Sequence, residues 1–330
     1  MIIGAELAAW LNDPVRQNDS LRSSRALTPR FAAEPVFADL RRELDQMEVK
    51  SAANVQAAAM RFMAREAELD AILDTMIDAA KADPFFEPPF LALTGDIHSG
   101  LLLVDEPDLL SIGLGVMPAD AIAARKTGAS GARSIAFSGL RTIFKFIKSG
   151  GARLSFWEAD APGPGFRAAE VRPCRAAGSR RIEDGDVVVI DGCCESFVIE
   201  HVEADAVYLQ AVIRAERGSL VVEYDSETLE YVGASSTDEA ASRIQMMVTL
   251  LRLMDRRDAV PLVREMLKSD HFFTRWHVMR ELLAMDAEAG LPELRFMAAS
   301  DPHPEVRSAA SRTLDMFFSD AEAKGEACPA

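Results

Sequence analysis

The hydrophobic period of this chain changes twice, and those two changes constrain its fold more than any single motif. Before residue 91 and after residue 234, apolar residues recur every three to four positions, the spacing of a helix face. Between them lie short apolar or alternating runs split by glycine, proline and acidic turns, which argue an all-β sandwich or barrel. The chain therefore reads as α+β and multidomain. An N-terminal helical region spans 1–90, a β-barrel 91–234 and a helical repeat domain 235–330.

In the first segment, residues 1–34 are polar and rich in Ser and Arg, and predict irregular chain. Pro35 to Met47 predicts one helix. A longer one starts at Ser51, with Val55, Ala59, Phe62, Leu69, Ile72 and Ile77 on its stripe. Asp83-Pro84 ends it, because proline lacks the amide proton and disfavours helix in the residue before it. The stripe must be buried on the next domain or against a second copy, so a homodimer through these helices is one expectation. In the second segment the runs 101–104, 109–114, 134–137, 142–147, 153–157, 187–190, 197–202, 207–213 and 220–224 predict strands, and Phe166 to Arg181 predicts a long loop. In the third, Ser236 or Thr237 is placed to cap a helix whose stripe is Ile244, Met247, Val248, Leu251 and Met254.

Beyond that helix the chain repeats. Ala259-Val260-Pro261-Leu262 to Ser269-Asp270 is echoed 31 residues later by Gly290-Leu291-Pro292-Glu293 to Ser300-Asp301, and Arg275 and Leu282 pair with Arg307 and Leu314 after a one-residue slip. A fixed period of this length marks stacked helical hairpins. Asp301-Pro302-His303-Pro304-Glu305-Val306-Arg307 resembles the inter-helix turn and second helix of a HEAT repeat, over about 259–316. That resemblance implies a protein or peptide partner. Phe272, Phe273 and Trp276 are its candidate anchors, residue types common at interface centres, and they equally suit the hairpin core. His303, in the turn, is expected to cap or to face solvent.

Within the β segment, Gly185-Asp186-Val187-Val188-Val189-Ile190 is similar to the turn and strand of a cupin's second motif, and Ser149-Gly150-Gly151-Ala152-Arg153-Leu154 resembles the glycine turn before the first. The resemblance implies a jelly roll. It also implies a divalent metal held by three histidines and a glutamate, and there this sequence departs from the family. Ser155-Phe156-Trp157-Glu158 follows the glycine turn, and Ser196 stands where the last ligand falls. Imidazole is the usual ligand for iron, nickel or zinc, so neither a metal nor another cofactor is expected. His98, His201 and Glu203, with Glu158, are the only set from which an atypical metal site can be assembled.

Charge adds a second candidate. The net charge of −16 argues against a general nucleic-acid or anionic-membrane binder. Yet between 141 and 181 nine basic residues face three acids. Arg153, Arg167, Arg172, Arg175 and Arg180 are candidates for binding a small anion or an acidic partner segment, since guanidinium forks take carboxylate and phosphate bidentately. They are equally placed to pair with the chain's own acids.

Four cysteines (Cys174, Cys193, Cys194 and Cys328) are too sparse for a disulfide scaffold and predict reduced thiols. No run approaches the roughly 18 apolar residues of a spanning helix, and Met1 to Glu6 lacks a basic leader, so a cytoplasmic location is expected. Neither a phosphate-binding loop nor a nucleophile elbow occurs, and Gly163-Pro164-Gly165 lacks the strand-to-helix setting of a nucleotide fingerprint. The expected function is a non-enzymatic adaptor or sensor with a metal-free cupin-like barrel and a HEAT-like interaction surface. The alternative is a metal-dependent cupin-type dioxygenase or isomerase with an atypical site.

Overall fold

The computed structural model describes residues 4–95, 97–128, 134–163 and 166–317, and within them helix gives way to strand at residue 91. Cys328, the C-terminal end and the centre of Gly163-Pro164-Gly165 lie outside the described residues. Two compact units are present. The first comprises the chain up to Ile135, Leu140–Glu158 and Ala176–Arg217. The second comprises Ala136–Gly139, Ala159–Arg175 and the chain from Gly218 on. No helix among the described residues is long and apolar enough to cross a membrane.

Five helices open the first unit: α1 (Ala5–Leu11), α2 (Pro14–Ala32), α3 (Pro35–Gln46), α4 (Ala52–Met63) and α5 (Glu66–Ala82). The expectation of irregular chain before residue 35 is corrected by α1 and α2. Asp13 caps α2 by accepting from the amides of Val15 and Arg16 at 3.1 Å, and Pro14 takes its first turn. The inward stripe of α2 is Ser20, Ser24, Leu27 and Phe31. Its two serines are buried because Ser20 Oγ accepts from the Trp10 indole at 3.3 Å and Ser24 Oγ from the Glu87 amide at 3.1 Å. A stripe half made of serine carries no hydropathy signal. The single helix expected from Ser51 is also corrected. It breaks at Ala64-Arg65, where Arg65 reaches Asp39 at 2.7 Å and Glu68 at 2.5 Å, pinning the turn between α4 and α5.

Strands β1 (Leu91–Thr94), β2 (Ser99–Glu106) and β3 (Leu110–Met117) are followed by α6 (Ala119–Gly128) and β4 (Ser134–Phe137). Then come β5 (Arg141–Lys148), β6 (Arg153–Glu158), β7 (Arg175–Arg181), β8 (Val187–Asp191), β9 (Glu195–His201) and β10 (Ala206–Ile213). The large sheet runs β1-β2-β3-β10-β5-β8 and the small one β7-β6-β9. If β3 is strand 1 and β5 to β10 are strands 3 to 8, these orders read 1-8-3-6 and 5-4-7. Eight strands of a jelly roll pair as 1-8-3-6 and 2-7-4-5. The barrel is thus a jelly roll, as the cupin resemblance implied, with no described strand in the second place. Both turns that carry that resemblance need glycine: Gly150 and Gly151, between β5 and β6, have φ of +57° and +67°, and Gly185, before β8, has φ of +89°.

Period-two alternation gives the large sheet two faces. Leu110, Ile112, Ile143, Leu209, Ala211 and Ile213 face one way and share a core with Phe37, Leu40, Val55, Ala59, Phe62 and Ile72 of the helices. Residues 1–90 and the sheet therefore pack as one body, while residue 91 still marks the change of period. Phe146, Val188, Ile190 and Tyr208 face the other way, into the barrel, with Leu154 from the small sheet.

In the second unit β11 (Leu220–Asp225) and β12 (Tyr231–Ser236) form a sheet in the order β12-β11-β4. Five helices follow: α7 (Glu239–Leu253), α8 (Val260–Glu265), α9 (Phe272–Met285), α10 (Ala287–Ser300) and α11 (Pro304–Phe317). The cap of α7 is Asp238, whose carboxylate accepts from Ala241 N at 2.9 Å, rather than Ser236 or Thr237. Thr237 Oγ1 instead donates to Gly218 O at 2.5 Å. Of the stripe expected on α7, Val248 is buried and Ile244 and Leu251 pack on the core, whereas Met247 and Met254 are exposed.

The sequence repeat is a repeat of hydrogen bonds. Arg275 Nη1 donates to Ser269 O and Asp270 O at 2.9 and 3.0 Å, and Arg307 Nη1 donates to Asp301 O and Pro302 O, the same offsets one hairpin later. Arg275 also forks onto Asp301 at 2.7 and 2.8 Å, tying the first hairpin to the second through a buried ion pair. Burial pushes the Asp301 carboxyl up, but the Arg275 guanidinium and the His303 amide outweigh it and hold the group below its ordinary range.

Candidate functional site

The interior of the barrel is lined by rings. Phe144 meets Phe197 edge-on at 5.1 Å and Tyr208 at 5.6 Å; Phe146 lies 6.1 Å from Tyr208 and Phe156 6.5 Å from Phe197. Tyr208 stands opposite Gly115 in the β3–β10 register, and its ring occupies the space of a side chain there: a Cβ on Gly115 would lie 2.6 Å from it. Burial pushes the Tyr208 phenol up. These residues do not fit a metal ion, and among the described residues no three His, Cys, Asp or Glu side chains gather to hold one.

The candidate ligands are scattered. His98 is exposed in the hairpin loop between β1 and β2. His201 ends β9, opposite Arg153, beyond the inward Phe197 and Ile199. Glu158 lies at the other end of β6, five residues or roughly 16 Å from the Arg153 position. Glu203 forks with Arg181 at 2.9 Å.

The five candidate arginines are divided between the units. In the first, Arg153 is exposed on β6 and donates to Ser179 Oγ at 3.4 Å, and Arg180 sits 3.9 Å from Asp186 with its guanidinium over the Phe156 ring. In the second, Arg167 pairs with Glu170 at 2.8 Å and Arg172 with Asp160 at 2.6 Å. Arg175 opens β7, so the loop expected over Phe166 to Arg181 ends there in a strand. That strand was illegible because all seven of its residues are exposed and none alternates with an apolar one. It is an edge strand, and arginine on an edge discourages pairing with another chain.

The three aromatic candidates do come together. Phe272, Phe273 and Trp276 on α9 line one groove of about 460 Å³ within the second unit. Its other walls are Tyr231, Ala234, Ser235 and Ser236 of β12, Ser242 and Gln245 of α7, Phe166 and Ala168 of the loop before β7, and Glu305, Val306, Ala309 and Arg312 of α11. The loop is fastened to α11 by the Ala168 amide, which donates to Glu305 Oε1 at 3.4 Å. Phe166 meets Tyr231 edge-on at 6.1 Å, and Tyr231 meets the buried Tyr224 at 6.3 Å.

On α9 the spacing 272, 273, 276, 280 keeps the rings and Arg280 on one helix face. Arg280 and Arg312 are both exposed, both line the groove, and neither makes an ion pair with a described residue. His277 is occupied: Thr249 Oγ1 lies 2.9 Å from its Nε2, and Gln245 O 3.2 Å.

Under the groove lies His303, and its expected role in capping or solvation is corrected. It is 6% exposed and stacks on Phe272, with ring centres 3.8 Å apart and planes 7° apart. Neither ring nitrogen has a hydrogen-bond partner. The histidine is covered because the α10–α11 turn is folded in under α9 by the Arg275–Asp301 fork. Burial holds its pKa below the ordinary value; Glu305 and Asp301 act upward, and Arg275 and Arg167 downward. Sequence reasoning missed Arg280, Arg312, Phe166 and Tyr231 as groove residues. The one available signal was spacing: Arg280 is four residues after Trp276.

Fold and site together define a class: a jelly-roll barrel followed by stacked helical hairpins. Residues 234–315 match the family model of HEAT repeats, so the C-terminal segment is HEAT-like. A search of the curated proteins finds no match. Among solved structures, the chain is similar to the cupin domain of Cnp3 from Schizosaccharomyces pombe, with 9% identity, 39% of this chain and 67% of that one covered, and a TM-score of 0.23. It is also similar to a sugar phosphate isomerase from a cupin superfamily of Silicibacter pomeroyi, with 14% identity, coverage of 46% and 88%, and a TM-score of 0.23. A cupin domain from Bordetella pertussis shows 11% identity, coverage of 37% and 99%, and a TM-score of 0.22. At such TM-scores the assignment of the barrel rests on its own strand order.

Proposed function

We propose that this protein is a non-enzymatic binding protein, an adaptor, whose working surface is the aromatic groove of the second unit. Its partner is a protein segment carrying an apolar or aromatic side chain beside one or more carboxylates. The observation that carries this reading is the pairing of three half-buried rings with two arginines that no described acid neutralises. Rings with one bare face offer apolar area at small entropic cost, and such residues dominate interface energetics. Arg280 and Arg312 supply the complementary charge, which steers and selects acidic partners. HEAT-like repeats present binding surfaces of this extended kind, and a barrel interior filled with phenylalanine is consistent with a structural role for the jelly roll.

The test is selection of peptides from a random displayed library on the full chain. Expected are sequences pairing Phe, Trp or Leu with Asp or Glu, bound at least tenfold more weakly by Trp276→Ala and by the double variant Arg280→Glu/Arg312→Glu. Selected peptides that bind both variants as well as the parent would remove the groove from consideration.

A further inference from the structure

The first unit holds a cavity that packing does not explain. It lies on the helix-facing side of the large sheet, under α5, and encloses about 250 Å³. One cross-strand row runs Leu114, Leu209, Lys145, so the lysine is the polar member of an otherwise apolar row. Well-packed interiors hold few voids larger than one water, whose share of liquid volume is about 30 Å³. This one has room for several, yet Leu73 of α5, Leu114 and Leu209 give water little to bond to.

The opening is where the polar groups collect: Glu66, Asp70, Lys145 and Asp184. Three of the four are already used. Lys145, with its side chain 12% exposed, donates to Met63 O at 3.0 Å and to Glu66. Asp184 accepts from the Ser149 amide at 2.8 Å and from Lys148 at 3.0 Å. Asp70 is exposed and makes no ion pair with a described residue. The unmatched charge at the mouth of an apolar cavity is therefore negative. A carboxylate or phosphate ligand would meet three carboxylates, with the one ammonium already engaged.

We infer that this cavity is a binding site for a small hydrophobic amine, an aryl- or alkylammonium of about ten heavy atoms by volume. Its apolar body lies against Leu73, Leu114 and Leu209, and its ammonium pairs with Asp70. The site is separate from the groove and does not depend on the function proposed for it.

Calorimetric titration of the full chain with 2-phenylethylamine, with 2-phenylethanol as neutral counterpart and 3-phenylpropionate as anionic one, tests this. The amine is expected to bind roughly two- to fivefold more tightly than the alcohol, the scale of an exposed charge pair, and the carboxylate not to bind. Asp70→Asn, a surface change that leaves the core intact, should reduce the amine to the affinity of the alcohol. Leu73→Trp, which fills the cavity, should abolish binding of both. The inference is overturned if the amine gives no binding heat at millimolar concentration, if the alcohol binds as tightly as the amine, or if Asp70→Asn leaves the preference unchanged.

Discussion

The barrel interior and the groove of the second unit are both lined with aromatic side chains, and they use them differently. In the barrel, Phe144, Phe146, Phe156, Phe197 and Tyr208 contact one another in a chain, and Phe146 and Tyr208 are 1% and 4% exposed. Each ring there has aromatic or aliphatic neighbours, and no charge is left unmatched among them. In the groove, Phe272 stacks on His303 and Phe273 on His271, and both, like Trp276, are only partly exposed, as Phe144, Phe156 and Phe197 of the barrel are. But they line an open groove beside two guanidinium groups without an ion pair to a described residue. The number of rings does not separate a core from a docking surface. An open groove and an unmatched charge do.

The sharpest way to break this comparison is to truncate one ring from each place. Phe146→Ala should lower stability by about 3–5 kcal/mol, the range for a buried phenylalanine, as read from the urea midpoint. Trp276→Ala, at a half-buried ring, should cost clearly less, about 1–2 kcal/mol on the same measurement. Equal losses would mean the groove is core. Next in size, Arg275→Ala should cost about 3 kcal/mol or more, because it strands Asp301 as a buried carboxylate without its partner. The paired replacement Arg275→Met/Asp301→Leu should recover only part of that loss, because Ser269 O, Asp270 O and the His303 amide also lose their partners.

The smallest effect is a dependence on pH. His303 titrates lower when folded than its unfolded value of about 6.5, so the unfolded chain binds the proton first. Stability should therefore be full above pH 7 and fall as the pH drops through about 6.5 toward the folded value. His303→Phe, which keeps the stack on Phe272, should flatten the profile in that window. Asp301, depressed below the carboxylate range, adds its own loss only below about pH 4, so the two groups are separable.

Much of the architecture was legible in the sequence, and the illegible parts share a cause. Strands such as β4 and β8 were marked by apolar runs, and α3 by its stripe of Val36, Phe37, Leu40 and Leu44. Elements whose residues are polar on the page were invisible: α2, whose buried face is half serine, and β7, which is arginine and small residues throughout. The break at Arg65 depends on Asp39, 26 positions away, and local periodicity cannot see it. The aromatic members of the groove were readable from α9 alone. Its charge was not, because a guanidinium counts as unmatched only once every neighbour from α7, α11 and the strands is in place.

The route of the chain has a consequence for anyone who cuts it. The backbone passes between the two units five times, at residues 135–136, 139–140, 158–159, 175–176 and 217–218. Phe137, threaded early, is buried against Tyr224, and the Cys174 amide donates to Leu229 O, so residues from the first half complete the sheet of the second unit. A fragment beginning at 218 or 235 would retain the helical hairpins but lack Phe137, Phe166 and Ala168. During synthesis, likewise, two segments of the second unit leave the ribosome before their partners on β11 and β12 exist. Expression vectors, fusion joints and protease sites are therefore better placed at the ends of the chain than at either change of hydrophobic period.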